Sequence, residues 1–368
     1  MNKIYSFDAF RFILALCIIM YHTDIVGGKI LQQGYLACEV FFILSGFLLA
    51  KSYFKYRDII HDKLDLFKKM LVNKFNRLYP EYIFMTIIVV IGYYFMFHDN
   101  RFLTFFYNSV FFSHMGVANN IIDGTWFIST LFWGTFVTLY LMIWGKEKYF
   151  FITAPLMFFL CVVPLFQQNH QSLHQIGKLV FPVITAGLLR TFAGLAIGCI
   201  VYYLCKIIYG KINKKITVLF AICGILGMYG LAELMMSKPE FLSVYNIYFF
   251  AAIGILGLVI YNNNLKFIFD FGFWRYLGRI SYMLFLTNIF VLKIFAKYIQ
   301  RPEWFNLNYY QIVTIVSCVI VAAVLYHTQK YLFAKLKVLL FGNNTPGLEN
   351  IKTADIMVNP VKSDTETK

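Results

Sequence analysis

The chain alternates between long apolar runs and short polar connections, most of them basic. A helix needs about 20 apolar residues to cross a bilayer. About ten runs meet or approach that length: 7–26, 34–54, 78–97, 124–144, 149–166, 183–205, 216–235, 245–261, 280–296 and 309–327. The first three and the last two are the clearest. Segment 102–115 is apolar but short, which predicts a helix lying along the interface or re-entering. From Gly342 onwards the sequence turns polar and loses periodicity, as disordered chain does. The pattern predicts an all-α integral membrane protein: a bundle of about ten transmembrane helices over 1–335 and a disordered cytoplasmic tail over 336–368. The first run carries Asp8 and Arg11 and lacks a small-residue cleavage site, so it reads as a retained helix rather than a signal peptide.

Composition agrees with the pattern. Of 368 residues, 60% are hydrophobic, 20% aromatic and only 14% charged. So few charges cannot cover so much apolar surface in water, which excludes a soluble enzyme, a disordered chain and a collagenous chain. The net charge of +15 would suggest nucleic acid in a soluble protein. Here its placement gives another cause. With an even number of spans, twenty-three Lys and Arg fall on the side of both termini and six on the other. Cytoplasmic loops carry that excess, so both termini are expected in the cytoplasm and no nucleic-acid partner is implied. The seven cysteines are scattered through apolar runs without ligand spacing, so neither disulfides nor a metal is expected.

Ionisable residues inside spans are costly and mark function. The first run holds Arg11 and His22, eleven residues apart. That is about three turns, so both fall on one helical face roughly 16 Å apart along the axis. Glu39 lies five residues into the second run, at a depth similar to that of His22. A His–carboxylate pair is the expected reason, with Glu39 orienting the ring for general-base work. The bland readings are an interhelical hydrogen bond for His22 and snorkelling for Arg11. Arg190, deep in the sixth span, needs a carboxylate, carbonyls or a ligand. Trp126 opens the fourth span, where an aromatic-belt anchor is the ordinary reading. The basic segment 55–77, with Lys74 and Arg77, and Arg275 and Arg279 further on, has the charge to hold a phosphate-rich ligand; positive-inside loop charge accounts for them equally well. Ser45-Gly46 reads as a packing spot rather than a nucleophile.

Several of these residues fall in a familiar order. Phe10-Arg11, His22, Gly34 and Glu39-Val40-Phe41-Phe42-Ile43-Leu44-Ser45-Gly46-Phe47 together resemble the opening of the membrane-bound acyltransferase family 3, which includes O-acetyltransferases of bacterial envelope glycans. Lys74-Phe75-Asn76-Arg77 resembles the family's Arg-x-x-Arg segment, and Gly278-Arg279-Ile280-Ser281-Tyr282 its late Gly-x-x-Ser-Tyr run. The likeness covers roughly 5–330. It departs at Lys74 for the first Arg, at Leu131 for a Glu and at Asn288 for a His.

The resemblance implies a membrane O-acyltransferase, most often an acetyltransferase, that takes acyl-CoA at the cytoplasmic mouth and acylates a hydroxyl of an envelope sugar, glycan or glycolipid from the inner membrane. The implied catalytic residues are His22, Glu39 and Arg11. Arg11, Lys74, Arg77 and Arg279 would hold the donor. Trp126 and Arg190 are candidates for substrate binding. A secondary transporter or flippase of a glycan or lipid-linked sugar also buries His and Arg across a bundle, but would favour broken helices and repeats. A polysaccharide polymerase or membrane scaffold would be expected to carry a long outer loop, whereas the loops here are short apart from 98–123.

Overall fold

A computed structural model of the protein describes residues 4–111, 124–169, 173, 177, 179–181, 184–237, 245–299 and 301–341. The chain is an all-α membrane bundle. In chain order the helices are α1 (Ser6–His22), α2 (Ala37–Tyr56), α3 (Lys63–Phe97), α4 (Phe102–Ser109), α5 (Thr125–Gly145), α6 (Ala154–Asn169), α7 (Ala186–Ile208), α8 (Lys214–Met236), α9 (Asn246–Ile260), α10 (Lys266–Phe269), α11 (Gly272–Ile294) and α12 (Leu307–Phe341). A two-stranded ladder, β1 (Leu179–Phe181) with β2 (Ile184–Thr185), precedes α7. The chain forms two compact units, residues 1–323 and 324–368; among described residues the second consists of the last turns of α12.

Nine helical segments among the described residues are long and apolar enough to cross a membrane, and the shorter α9 corresponds to the run at 245–261. Their outward faces are apolar: Ile225, Leu226 and Tyr229 on α8 and Ile312, Val316 and Ile320 on α12 are exposed. In water such stripes would drive association, whereas in hydrocarbon they are the solvated surface.

Three segments bear on the expectation. Residues 63–77, read as loop, are helical: α3 starts at Lys63, where the Asp62 carboxylate accepts the Asp65 N–H at 2.8 Å, and runs through Pro80 without ending. The Asp62 cap satisfies one of the orphan amides of the first turn, and nothing up to Arg77 breaks a helix. Segment 102–115 yields the eight-residue α4 within its described part, too short to cross; residues 112–115 lie outside the described residues. The last helix extends to Phe341, past the expected boundary at 335, and the rest of the tail lies outside the described residues.

The interior is built on close helix crossings. α2 packs along α7, α1 along α11, and α8 along α9. At the α2–α7 contact a Cβ on Gly46 would collide with the Leu195 backbone, and one on Gly198 with the carbonyl of Ile43. Small residues let backbones meet in this way where lipid supplies no hydrophobic drive between helices. The contact partners advance in step, Glu39 with Arg190, Phe42 with Gly194 and Ile43 with Gly198, so α2 and α7 run parallel. The same reasoning makes α3 parallel to α11, from Leu78 with Tyr282 to Tyr93 with Lys293.

Candidate active site

α1 positions the first two candidates. It is an unbroken helix from Ser6 to His22, so Arg11 and His22 keep the roughly 16 Å axial separation that its rise dictates. His22 is the last α-helical residue, half-buried, and its ring meets Tyr21 edge-on at 4.9 Å. The chain then tightens into a 3₁₀ turn, Thr23–Val26, and folds back: the amides of Ile30 and Leu31 both donate to the Met20 carbonyl. This fold-back closes the helix end beside His22 and brings Gly34 against Cys17 and Tyr21, where a Cβ would collide.

Glu39 occupies another setting. Its carboxylate is fully buried and accepts two hydrogen bonds from Arg190, Nε to Oε1 at 2.5 Å and Nη2 to Oε2 at 2.9 Å. Arg190 Nη1 also donates to the Leu173 carbonyl at 2.6 Å, and the guanidinium lies 5.0 Å from the Trp126 ring centre. Tyr35 and Tyr248 stand within electrostatic range of the pair. The expected Glu39–His22 pair is therefore replaced by a Glu39–Arg190 pair. A guanidinium offers a fork that matches both carboxylate oxygens, which a single imidazole nitrogen cannot. Trp126 is 5% exposed and Arg190 1% exposed. Trp126 thus serves as a floor beneath a buried cation, not as a belt anchor. Arg190 has found the carboxylate and the carbonyl that its depth demands.

A second group of charges gathers at the opposite end of α1. Arg11 Nη2 donates to Asp8 Oδ1 at 2.5 Å, and its Nε to the Phe7 carbonyl at 3.3 Å. Arg77 of α3 lies within electrostatic range of Arg11, Asp8 and Glu81, and Lys74 within range of Arg77. α11 closes this group: a Cβ on Gly278 would stand 2.6 Å from that of Asp8, and the Tyr282 hydroxyl donates to the Leu78 carbonyl at 3.1 Å. Arg279, exposed on the same helix, places its guanidinium 6.0 Å from the Tyr276 ring centre. Three helices distant in sequence thus bring Arg11, Arg77 and Arg279 to one end of the bundle, tempered by Asp8 and Glu81. Sequence reasoning gave no role to Asp8, Glu81 or Tyr282. For Asp8 the signal was its i, i+3 spacing from Arg11, which makes two helical residues neighbours.

The arrangement offers a cationic end for an anionic ligand and, three turns away, an imidazole with the capacity to accept a proton. Among the described residues no group of His, Cys, Asp and Glu has the composition to hold a metal ion. Neither curated proteins nor solved structures provide a match to the chain. The family model described as an acyltransferase domain, of the acyltransferase 3 class, matches residues 4–327, which contain every candidate site residue. A multi-pass helical bundle matched over nearly its whole length by that model is a membrane acyltransferase, and the chain belongs to membrane acyltransferase family 3.

Proposed function

We propose that the protein moves an acyl group, most simply acetyl, from acyl-CoA to a hydroxyl of a cell-envelope sugar or glycan, with the bundle seated in the inner membrane and both termini cytoplasmic. The observation that carries this reading is the placement of Arg11 and His22 at two depths of one continuous helix, with Arg77 and Arg279 joining Arg11 at the cation-rich end. Phosphates of the donor bind at that end through Arg11, Lys74, Arg77 and Arg279, and the thioester arm extends toward His22. The His22 imidazole takes the proton of the acceptor hydroxyl as its oxygen attacks the thioester carbonyl. The C–S bond breaks, the ester forms, and the proton passes to the departing CoA thiolate. Glu39, Arg190 and Trp126 act by positioning: they fix α2, α5 and α7 around the route instead of contacting the acceptor through an open face.

The test is His22→Ala in purified protein reconstituted with acetyl-CoA, together with mass spectrometry of envelope glycans from cells with and without the gene. Loss of acylation by a monodisperse, folded variant is expected, as is an acetyl mass on a glycan only when the gene is present. Transfer that survives the substitution removes His22 from the mechanism.

A further inference from the structure

The turn between α9 and α11 carries a broad hollow, open to solvent, whose walls include Asn263, Asn264, Lys266, Phe267, Asp270 and Phe271. The acyl-transfer reading uses none of these residues. The cavity lies outside the membrane-spanning segments, since the neighbouring span begins at Gly272. Its composition is also unlike that of a lipid-facing surface. Two amides, a cation and a carboxylate share it with Phe267 and Phe271, which are 75% and 57% exposed. Exposed rings alone would suit the bilayer boundary. Rings beside an open polar hollow suit the flat face of a polar ligand that lies against the surface.

The cavity is joined to the cationic end of the site. The Tyr5 N–H donates to the Asn262 side-chain oxygen at 2.9 Å, which ties the start of α1 to this turn. Lys266 Nζ stands 5.9 Å from the Tyr5 ring centre. Phe271 leads directly into α11, on which Arg275 and Arg279 follow one and two turns later. Gly278 of that helix meets Asp8, the partner of Arg11. Lys266, Arg275 and Arg279 thus lie at the same end of the bundle as Arg11, with Arg275 and Arg279 on the exposed side of α11.

We infer that this cavity binds the adenosine 3′-phosphate end of the acyl-CoA donor; the inference rests on the donor reading above and adds the subsite that anchors it. A purine stacks on exposed phenylalanine rings irrespective of its hydrogen-bonding edge. The Asn264 amide supplies a paired donor and acceptor that match an adenine edge, while Asn263 Nδ2 donates to the Tyr209 hydroxyl at 3.1 Å. A carboxylate such as that of Asp270 accepts from a ribose 2′-hydroxyl. The Lys266 ammonium complements the neighbouring phosphate. From there the diphosphate and the pantetheine arm follow the cations toward Arg11.

Adenosine 3′,5′-bisphosphate, which carries this end of the donor without the thioester, is the probe. Its binding to the full chain in nanodiscs is measured by calorimetry for the wild type, Lys266→Ala and Phe267→Ala, beside the KM for acetyl-CoA. Both side chains are exposed, so the variants are expected to fold. Saturable binding that weakens about tenfold or more in each variant, with a parallel rise in KM, is the expected result. Equal binding by the variants and the wild type overturns the inference, as does a wild type that transfers from acetyl-CoA without binding the bisphosphate. If acetyl-CoA is no donor at all but the bisphosphate binds and needs Lys266, the donor reading fails and the nucleotide site stands. Absence of both defeats the two together.

Discussion

A guanidinium and a carboxylate taken out of water each lose several kcal/mol of hydration, which attraction repays only when the geometry is good. Glu39 and Arg190 meet that condition with two mutual hydrogen bonds, a carbonyl and an aromatic face. Removing one partner strands the other. Glu39→Ala is expected to destabilise the protein by about 3–5 kcal/mol, and Glu39→Gln, which keeps one acceptor oxygen, by less. Thermal unfolding in detergent measures both, and a midpoint for Glu39→Ala equal to that of the wild type would contradict this account. Arg11 and Asp8 form an equally short pair with a different consequence. Each side chain is 23% exposed, and partly solvated pairs contribute about 0–1 kcal/mol. Arg11→Ala is therefore expected to raise the KM for acetyl-CoA while leaving the unfolding midpoint nearly unchanged. Sequence reasoning marked Arg190 as needing a carboxylate, carbonyls or a ligand, and matched Glu39 to His22. Chain proximity favoured that choice. The true partner lies 151 residues away, and no local periodicity reports which distant helix arrives at a given depth.

At the level of elements, hydropathy is a composition signal, and runs of about 20 apolar residues are read from it without knowledge of their neighbours. That is why the boundaries of α2, α5 and α8 fell close to their expected places. α3 was truncated because Lys63–Arg77 is charged enough to lower the average, although its helical content needs no bilayer. The Asp62-x-x-Asp65 cap was the available signal for the true start. The end of α2 is tied by charge to the α5–α6 junction, where Arg57 Nη1 donates to Glu147 Oε1 at 2.7 Å. Partial burial pushes the Glu147 carboxyl up, but hydrogen bonds from Arg57 and Tyr203 outweigh it and hold the group below its ordinary value of 4.5. A carboxyl depressed in the folded state stabilises above its unfolded value, and the contribution is lost as pH falls through the folded value. The stability difference between the wild type and Glu147→Gln should accordingly be constant from pH 7 to about 5 and shrink below about 4.5. Unfolding midpoints across that range check it, and a difference that grows on acidification would reverse the assignment.

Across the whole molecule, contacts with α11 set the arrangement: α3 runs parallel to it, and α1 meets it where Gly278 stands against Asp8. This assembles Arg11, Arg77 and Arg279 from three separate parts of the chain. Their common side was legible from the alternation of loop charge, whereas their convergence depends on which helices are neighbours. The link between the two ends is α1. One alanine inserted between Arg11 and His22 turns the ring by about 100° and displaces it by about 1.5 Å. Acyl transfer in that variant should fall as far as in His22→Ala, as measured on the same reconstituted protein. The uninterrupted hydrogen-bond ladder of α1 has one more consequence. A stiff rod cannot lengthen for a bulkier cargo, so any tolerance for longer fatty groups must come from sideways room, and the girth of the side chains flanking α1 is what would sort short cargoes from long ones.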